Sequence, residues 1–242
     1  MAKERLDVLL VQRGLSPSRE KAQRVIMAGG VFSGGTRLDK ASQQLAADTP
    51  LEVREADRYV GRGGHKLEAA LTHFAIDPSG RVCLDVGAST GGFTDCLLQH
   101  GAARVYALDV GHGQLDWKIR SDPRVVVMEH RNARHLQPGD LPEKADLAVA
   151  DVSFISLTLV LPPAAGVLTD GGVIVALIKP QFELSRAEVG RGGVVRDEML
   201  RAKAVEKIRA FAARSGWTWG GVVASPIAGA DGNREFLCLL RP

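Results

Sequence analysis

The chain has 242 residues, 45% of them hydrophobic and 24% charged, which is ordinary for a globular protein of one or two domains. Its net charge of +3 is compatible with an anionic partner but too small to require one. No apolar run approaches the roughly 20 residues that cross a bilayer, and the segment MAKERLDVLL lacks the apolar stretch of a secretory signal, so we expect a cytoplasmic protein.

Residues 1–58 predict a small α+β domain with two helices. The segment RLDVLLVQRG spaces Leu6, Leu9 and Leu10 at a helical period and ends at a glycine, as helices often do. A second helix is expected in SPSREKAQRVIMAGG, with Ser16 as its N-cap, followed by short strands. Basic residues lie on or beside the two helices: Arg5, Arg13, Arg19, Lys21 and Arg24.

This order of elements resembles the small RNA-binding module first seen in a ribosomal small-subunit protein, the S-four-like fold. The resemblance implies that basic side chains of the two helices contact RNA phosphates, which gives affinity and positioning with little base specificity. Taken alone, the same charges are also typical of a solvated helix surface. The positions that match the pattern of the module are Arg5–Asp7, Ser18, Arg19, Ala22, Ile26, Gly29 and Val31.

The glycine-rich end of READRYVGRGGHK predicts a linker at residues 59–62, followed by a second domain at residues 63–242. Apolar strand candidates then alternate with helices, which favours an α/β fold with a mostly parallel sheet covered on both faces. WTWGGVVASPI and EFLCLLR predict a hairpin-type ending with an antiparallel last strand, which suits a Rossmann-like methyltransferase sheet better than a dehydrogenase sheet. The parallel strands are expected at residues 82–87, 104–111, 125–129, 147–153 and 173–180, and the helices at 66–75, 92–100, 155–167 and 197–215.

The three cysteines of the chain, Cys83, Cys96 and Cys238, lie in apolar and periodic segments. Their spacing is not that of metal ligands. We therefore expect buried free thiols in a reducing compartment and no metal site.

The stretch LDVGASTGGFTDCLL, residues 84–98, predicts a strand, a tight loop and the start of a helix. Ligands in open α/β sheets bind beyond the carboxyl ends of the strands, where this loop lies. A dinucleotide fingerprint would place glycine where Ser89 stands, so the acidic residue and small-residue loop of a methyltransferase match better, although such loops are weakly specific. The candidate cofactor-binding residues here are Asp85, Gly87, Ser89, Thr90, Gly91, Gly92 and Phe93.

Two further residues are candidates for the nucleoside part of a cofactor. Asp109 ends the second strand candidate, about 20 residues beyond the loop, where an acidic residue holds a ribose. Asn132, in the segment HRNAR after the third strand candidate, is a candidate for the adenine edge. Asp109 does not separate NAD from S-adenosylmethionine, because the two cofactors carry similar riboses.

Four charged residues occupy positions that a core or a plain surface explains poorly. Asp151 ends the apolar run LAVAD, and Lys179 ends VIVALIK just before a proline that stops strand pairing. Glu235 opens EFLCLL, and Lys66 opens the helix before the first strand of the sheet.

The segments ADVSFIS, IKPQFE, GVVRD and GNREF, together with the GASTGG loop and the N-terminal module, resemble the TlyA family over essentially the whole chain. Members of that family join the RNA-binding module to an FtsJ-like ribose 2′-O-methyltransferase domain and are historically labelled haemolysins. The resemblance implies S-adenosylmethionine as cofactor, a Lys66–Asp151–Lys179–Glu235 tetrad, and Asp151 also near the cofactor. It further implies ribosomal RNA or a ribosomal subunit as partner and a cytidine ribose as target, and the short N-terminus is similar to members that act on the large subunit alone.

The chemistry of methyl transfer gives each member of the tetrad a role. A ribose 2′-hydroxyl is a weak acid, so it attacks a methyl group poorly unless its proton is removed. Lys179 is the expected general base or hydroxyl orienter, with desolvation and the neighbouring Lys66 cation favouring its neutral amine. Asp151 is expected to orient Lys179, and Lys66 and Glu235 complete the site.

Other functions stay open at this point. The chain is alternatively an RNA-binding or ribosome-assembly protein with an inert methyltransferase domain, or a membrane-acting haemolysin, as the family label suggests. An NAD-dependent oxidoreductase is the residual alternative. The intact tetrad favours the enzyme.

Overall fold

The computed structural model describes residues 3–27, 29–53 and 57–242, so Met1, Ala2, Ala28 and residues 54–56 of the predicted N-terminal domain lie outside the described residues. The chain forms two compact units, Met1–Arg58 and Tyr59–Pro242. Residues 59–62 belong to the second unit.

The first unit is a small α+β fold built around two packed helices. The helices bury Leu6, Leu10, Ala22 and Ile26 against one another and against Val31. Strand β1 pairs antiparallel with β4, and β2 lies between β3 and β5. The elements are β1 (Lys3–Arg5), α1 (Leu6–Gln12), α2 (Arg19–Met27), β2 (Val31–Ser33), β3 (Thr36–Arg37), β4 (Gln44–Ala46) and β5 (Glu52–Val53).

Helix α2 begins at Arg19, two residues later than a helix with Ser16 as its N-cap would begin. The hydroxyl of Ser18 accepts a hydrogen bond from the backbone N–H of Lys21 at 3.2 Å, as an N-cap does. The hydroxyl of Ser16 instead donates a hydrogen bond to the carbonyl of Ser18 at 3.1 Å. The prediction of Ser16 as N-cap is therefore wrong, because its side chain is buried and bonds to the turn before the helix.

The second unit alternates strands and helices along most of its length, as predicted. Short 3-10 turns lie at Ala133–His135, Leu157–Leu159 and Arg191–Gly193. The elements are α3 (Gly63–His73), β6 (Val82–Val86), α4 (Gly92–Gln99), β7 (Arg104–Leu108), α5 (Trp117–Arg120), β8 (Val125–Met128), β9 (Ala145–Ala150), α6 (Leu161–Gly166), β10 (Leu168–Ile178), α7 (Pro180–Glu183), α8 (Glu198–Arg214), β11 (Thr218–Ala224) and β12 (Phe236–Arg241).

The strands of this unit form one seven-stranded sheet in the order β11-β12-β10-β9-β6-β7-β8. The neighbours from β10 to β8 are parallel, whereas β12 runs antiparallel to both β10 and β11. The predicted α/β class, with a mostly parallel sheet and an antiparallel last strand, is confirmed. Two apolar clusters, one built around Leu84 and Ile174 and the other around Leu97 and Val175, form the core of the unit.

The strand order creates a crevice next to β6. From β6 the chain builds β7 and β8 on one side and then returns to place β9 on the other side. Ligands bind at such a reversal, beyond the carboxyl ends of the strands. Within the described part of the chain, no helix has the length and apolar character needed to span a bilayer.

Candidate active site

Two neighbouring cavities open at the carboxyl ends of β6, β9 and β10. They share the lining residues Gly87, Ser89, Asp151 and Ser153, so they form one continuous crevice. The larger has a volume of about 490 Å³ and is lined by residues that include Asp109, Gln114, Asn132, Val152 and Phe154. The smaller, of about 180 Å³, is lined further by Gly63, Ala88, Thr90, Gly92, Phe93 and Lys179.

The loop between β6 and α4 can take its shape only with glycine at two positions. Gly87 has φ +88°, and a Cβ there would lie 2.5 Å from the backbone oxygen of Asp151. Gly91 has φ +94°, and a Cβ there would lie 2.9 Å from Leu115. Left-handed backbone and close approach together require glycine. Of the seven loop residues predicted to bind a cofactor, five line the smaller cavity: Gly87, Ser89, Thr90, Gly92 and Phe93.

The other two predicted loop residues, Asp85 and Gly91, line neither of these cavities. Asp85 is fully buried, and its Oδ2 accepts a hydrogen bond from Thr94 Oγ1 at 2.7 Å. Among the described residues its Oδ1 has no hydrogen-bond partner. Burial, with a smaller contribution from the negative charge of Asp151, raises the pKa of Asp85 to about 7. Asp85 therefore supports the start of α4 from inside the protein.

Asp109 holds the loop and the turn after β7 together. Its Oδ2 accepts a hydrogen bond from the Ser89 amide at 2.8 Å, and its Oδ1 accepts one from the Gly111 amide at 2.7 Å. Each carboxylate oxygen can accept a further bond, so these contacts leave Asp109 able to bind a hydroxyl. Asn132 lines the same cavity, and its side-chain oxygen caps a 3-10 turn through the Arg134 amide at 3.1 Å.

Lys179 and Asp151 form an ion pair at the crevice. Lys179 Nζ lies 2.6 Å from Asp151 Oδ1 and donates a hydrogen bond to Ser153 Oγ at 2.8 Å. The two side chains are 11% and 21% exposed, so the pair is shielded from bulk water on most sides. The sequence did not predict Ser153 as a site residue, although it lies in the ADVSFIS segment two positions after Asp151.

Lys66 and Glu235 form a second and more deeply buried ion pair. Lys66 Nζ lies 2.5 Å from Glu235 Oε2, and the two residues are 8% and 3% exposed. A Cβ at Gly229 would lie 2.4 Å from Glu235 Oε1, so the turn before β12 closes tightly over the carboxylate. Removing either partner would leave a buried charge unpaired, which is strongly destabilising.

The sheet register brings the two pairs to one end of neighbouring strands. Ile178 of β10 faces Phe236 of β12, so Lys179 and Glu235 occupy the next facing positions. Asp151 follows β9, the parallel neighbour of β10 on its other side. Each lysine has its own carboxylate partner, and the four predicted tetrad residues are thus arranged as two ion pairs.

Comparisons with known proteins identify the family. A model described as FtsJ-like methyltransferase matches residues 59–241, and one described as S4 domain matches residues 4–49. The Mycobacterium tuberculosis protein named 16S/23S rRNA (cytidine-2′-O)-methyltransferase TlyA is 49% identical over 98% of this chain and 89% of its own length. The chain belongs to the TlyA family.

Two more proteins match over nearly the whole chain. The Bacillus subtilis protein YqxC is 51% identical over 97% of this chain and 84% of its own length. A solved structure of a Streptococcus thermophilus protein that carries a hemolysin name has a TM-score of 0.76 at 47% identity, covering 100% of this chain and 89% of that one. The family resemblance expected from the sequence motifs is confirmed, and the chain is a methyltransferase of the FtsJ-like type.

The S4 domain of this TlyA-family chain carries the five predicted RNA-binding residues in three settings. Arg5 and Arg19 both bind the fully buried carboxylate of Asp7, with Nε atoms 3.0 and 2.9 Å from its oxygens. The hydrogen bond from Arg5, with a smaller contribution from Arg19, holds the pKa of Asp7 well below its usual range. Arg13 donates to the carbonyl of Thr49 at 2.6 Å. Arg24 pairs with Glu20 on the surface, and Lys21 is exposed.

The three cysteines are buried and none of them forms a disulfide, as predicted. Burial raises the pKa of both Cys83 and Cys238 to about 12, so both are neutral thiols. Among the described residues, no group of three or more histidine, cysteine, aspartate or glutamate side chains could hold a metal ion.

Proposed function

We propose that the chain is an S-adenosylmethionine-dependent rRNA methyltransferase that methylates a ribose 2′-hydroxyl, that of a cytidine. The observation that carries the proposal is the Lys179–Asp151 pair at the junction of the two cavities. The name of the Mycobacterium tuberculosis relative, which specifies cytidine 2′-O-methylation of rRNA, supports the choice of substrate. The S4 domain at residues 4–49 supports an RNA partner.

The larger cavity suits the cofactor in size and in the chemistry of its lining. Its 490 Å³ falls in the usual range for small-molecule sites. Asp109 would accept hydrogen bonds from the ribose hydroxyls, and Asn132 would meet the adenine edge. The backbone of the loop around Gly87 would approach the amino-acid part. When bound, S-adenosylmethionine supplies a methyl group that its sulfonium already activates for transfer.

Lys179 would act on the hydroxyl of the acceptor ribose. Asp151 and Ser153 hold its amino group from two directions, which leaves one further direction for the acceptor. In its neutral form, the Lys179 amine would accept the proton of the 2′-hydroxyl as the oxygen attacks the methyl group. In its ammonium form, it would instead orient that hydroxyl by a hydrogen bond. The buried Lys66–Glu235 pair fixes the start of α3 against β12 next to this group. Positioning supplies much of the rate, since the methyl donor is intrinsically reactive.

The direct test is methyl transfer from labelled S-adenosylmethionine to rRNA, with both free rRNA and isolated ribosomal subunits as substrates. We expect 2′-O-methylcytidine after nuclease digestion and mass spectrometry. Lys179→Ala should reduce transfer by about 100-fold or more while S-adenosylmethionine affinity, measured by calorimetry, stays within about threefold.

Lys144, whose side chain is 62% exposed, provides a matched control, because Lys144→Ala removes an equal charge before the amino end of β9, opposite the end that carries Asp151. No methylation of any rRNA preparation by the wild-type protein would refute the proposal. Binding of rRNA without transfer would then favour the ribosome-assembly role, and leakage of liposomes the haemolysin role.

A further inference from the structure

Glu183 is a buried carboxylate four residues after Lys179 in the chain. The reaction proposed above gives it no role. Its side chain is 1% exposed, and the residue lines neither cavity of the crevice. It ends α7, the one-turn helix that starts immediately after Lys179. A buried glutamate is costly unless it is fully paired, so its partners indicate what it holds in place.

All three partners of the Glu183 side chain lie on other elements. Its Oε1 accepts a hydrogen bond from the backbone amide of Leu157 at 2.7 Å, and its Oε2 accepts one from Ser156 Oγ at 2.5 Å. Lys207 of α8 lies 2.9 Å from Oε2 and also donates to the Glu183 carbonyl at 2.7 Å. Glu183 thus ties α7 both to α8 and to the segment that follows β9.

That segment, residues 151–157, is held at both of its ends, by Lys179 just before α7 and by Glu183 at the end of α7. At the front, Asp151 and Ser153 contact the amino group of Lys179. At the rear, Ser156 and Leu157 contact Glu183. The front contacts involve partly exposed side chains, whereas the rear contacts are made to a carboxylate that is 1% exposed and include a backbone amide. The rear contacts are therefore the more rigid end.

We propose that Glu183, neutralised by Lys207, is a positioning residue that fixes the 151–157 segment relative to Lys179 for methyl transfer. This inference rests on the proposed function. Without Glu183 the segment can move away from α7, and the oxygens of Asp151 and Ser153 no longer hold the amino group in one direction. A displacement of about 1 Å at such a group costs roughly 100-fold in rate.

The test compares Glu183→Ala, Glu183→Gln and Lys207→Met with Glu206→Gln, a control on α8 whose side chain is 65% exposed. We expect Glu183→Ala to lower the single-turnover transfer rate roughly 100-fold at saturating rRNA and S-adenosylmethionine. Glu183→Gln keeps an acceptor for the Leu157 amide, and the Ser156 hydroxyl can rotate to accept from the new amide N–H, so this variant should recover part of that loss. Lys207→Met, which leaves the buried carboxylate without its cation, should fall between them, and the control should match the wild type.

Two readouts separate positioning from general loss of structure. Hydrogen exchange should quicken at residues 151–157 in Glu183→Ala while the amides of β6 and β7 keep their protection. The transfer rate at saturating substrates should fall in Glu183→Ala while the affinities for rRNA and S-adenosylmethionine stay those of the wild type, because the segment loses its position and the binding surfaces do not.

Unchanged exchange at residues 151–157, or a folded Glu183→Ala protein with wild-type rate, overturns the inference. Failure of the proposed function is a different result, namely a wild-type protein that methylates no rRNA.

Discussion

Asp85 illustrates at the scale of one residue how burial sets the chemistry of a motif position. Its place at the end of β6 predicts contact with a cofactor, and the structure buries its side chain, which accepts a hydrogen bond from Thr94. A buried carboxylate beside other acids is costly to ionise, which raises its pKa to about 7. Because the ordinary value is 3.8, the folded protein binds this proton more tightly than the unfolded chain does. Asp85 therefore lowers stability progressively as the pH rises from about 4 to 7.

Asp85→Asn should remove this dependence on pH. We expect the free energy of unfolding of the wild type to fall between pH 5 and pH 7 by on the order of 2 kcal/mol more than that of the variant. Urea unfolding at both pH values measures the difference, and the asparagine oxygen can still accept the Thr94 hydrogen bond. Parallel behaviour of the two proteins over this range would show that Asp85 is already ionised near pH 5.

Asn233 illustrates how a motif organises elements around the site. It is 1% exposed, its Oδ1 accepts from the Val195 amide at 2.9 Å, and its Nδ2 donates to the Gly193 carbonyl at 2.9 Å. These bonds tie the segment before α8 to the turn before β12, which carries Glu235. The segments GVVRD and GNREF, which the sequence presents as separate motifs, thus form one structural unit.

Asn233→Ala should loosen that unit and reduce stability. Two backbone groups would lose their partners, which costs roughly 2–4 kcal/mol if they stay buried and less if water reaches them. We expect limited proteolysis to cut the variant near residues 185–195 at conditions in which the wild type is resistant. Asn233→Asp keeps the acceptor for Val195 but sets a buried carboxylate oxygen against the Gly193 carbonyl, so it should be at least as sensitive as Asn233→Ala, and equal resistance of all three proteins would contradict the assignment.

The sequence predicted most of the elements of the second unit because their apolar periods are local properties. It was less accurate where local chemistry interrupts a pattern. The helix expected at 155–167 is a 3-10 turn at Leu157–Leu159 followed by the short helix Leu161–Gly166, since Pro162 and Pro163 lack the amide hydrogens of a continuous helix. The Lys66–Glu235 pair joins residues 169 positions apart, and its exact partners depend on how α3 packs against β12.

At the scale of the whole molecule, the two units have separable electrostatic tasks. In the second unit, Lys179 at the crevice and the buried Lys66 are each paired with a carboxylate, so these two lysines offer little net positive charge to a polyanion. In the S4 domain, Lys21 is exposed to solvent. The side chains of the Arg24–Glu20 pair are each 75% exposed. Exposed pairs of this kind are weak and are readily replaced by phosphate contacts. Affinity for rRNA should therefore depend on the first unit and methyl transfer on the second.

The double variant Lys21→Ala with Arg24→Ala tests this division more cleanly than substitution of Arg19, whose loss would also remove a partner of the buried Asp7. We expect weaker rRNA binding and a logarithmic salt dependence whose slope is shallower by about 1 to 2, since two phosphate contacts are lost. The melting temperature and the affinity for S-adenosylmethionine should remain those of the wild type. Lys179→Ala should show the reverse, with rRNA affinity and salt slope retained and transfer lost. An unchanged slope in the double variant would mean that other basic residues of the chain carry the phosphate contacts.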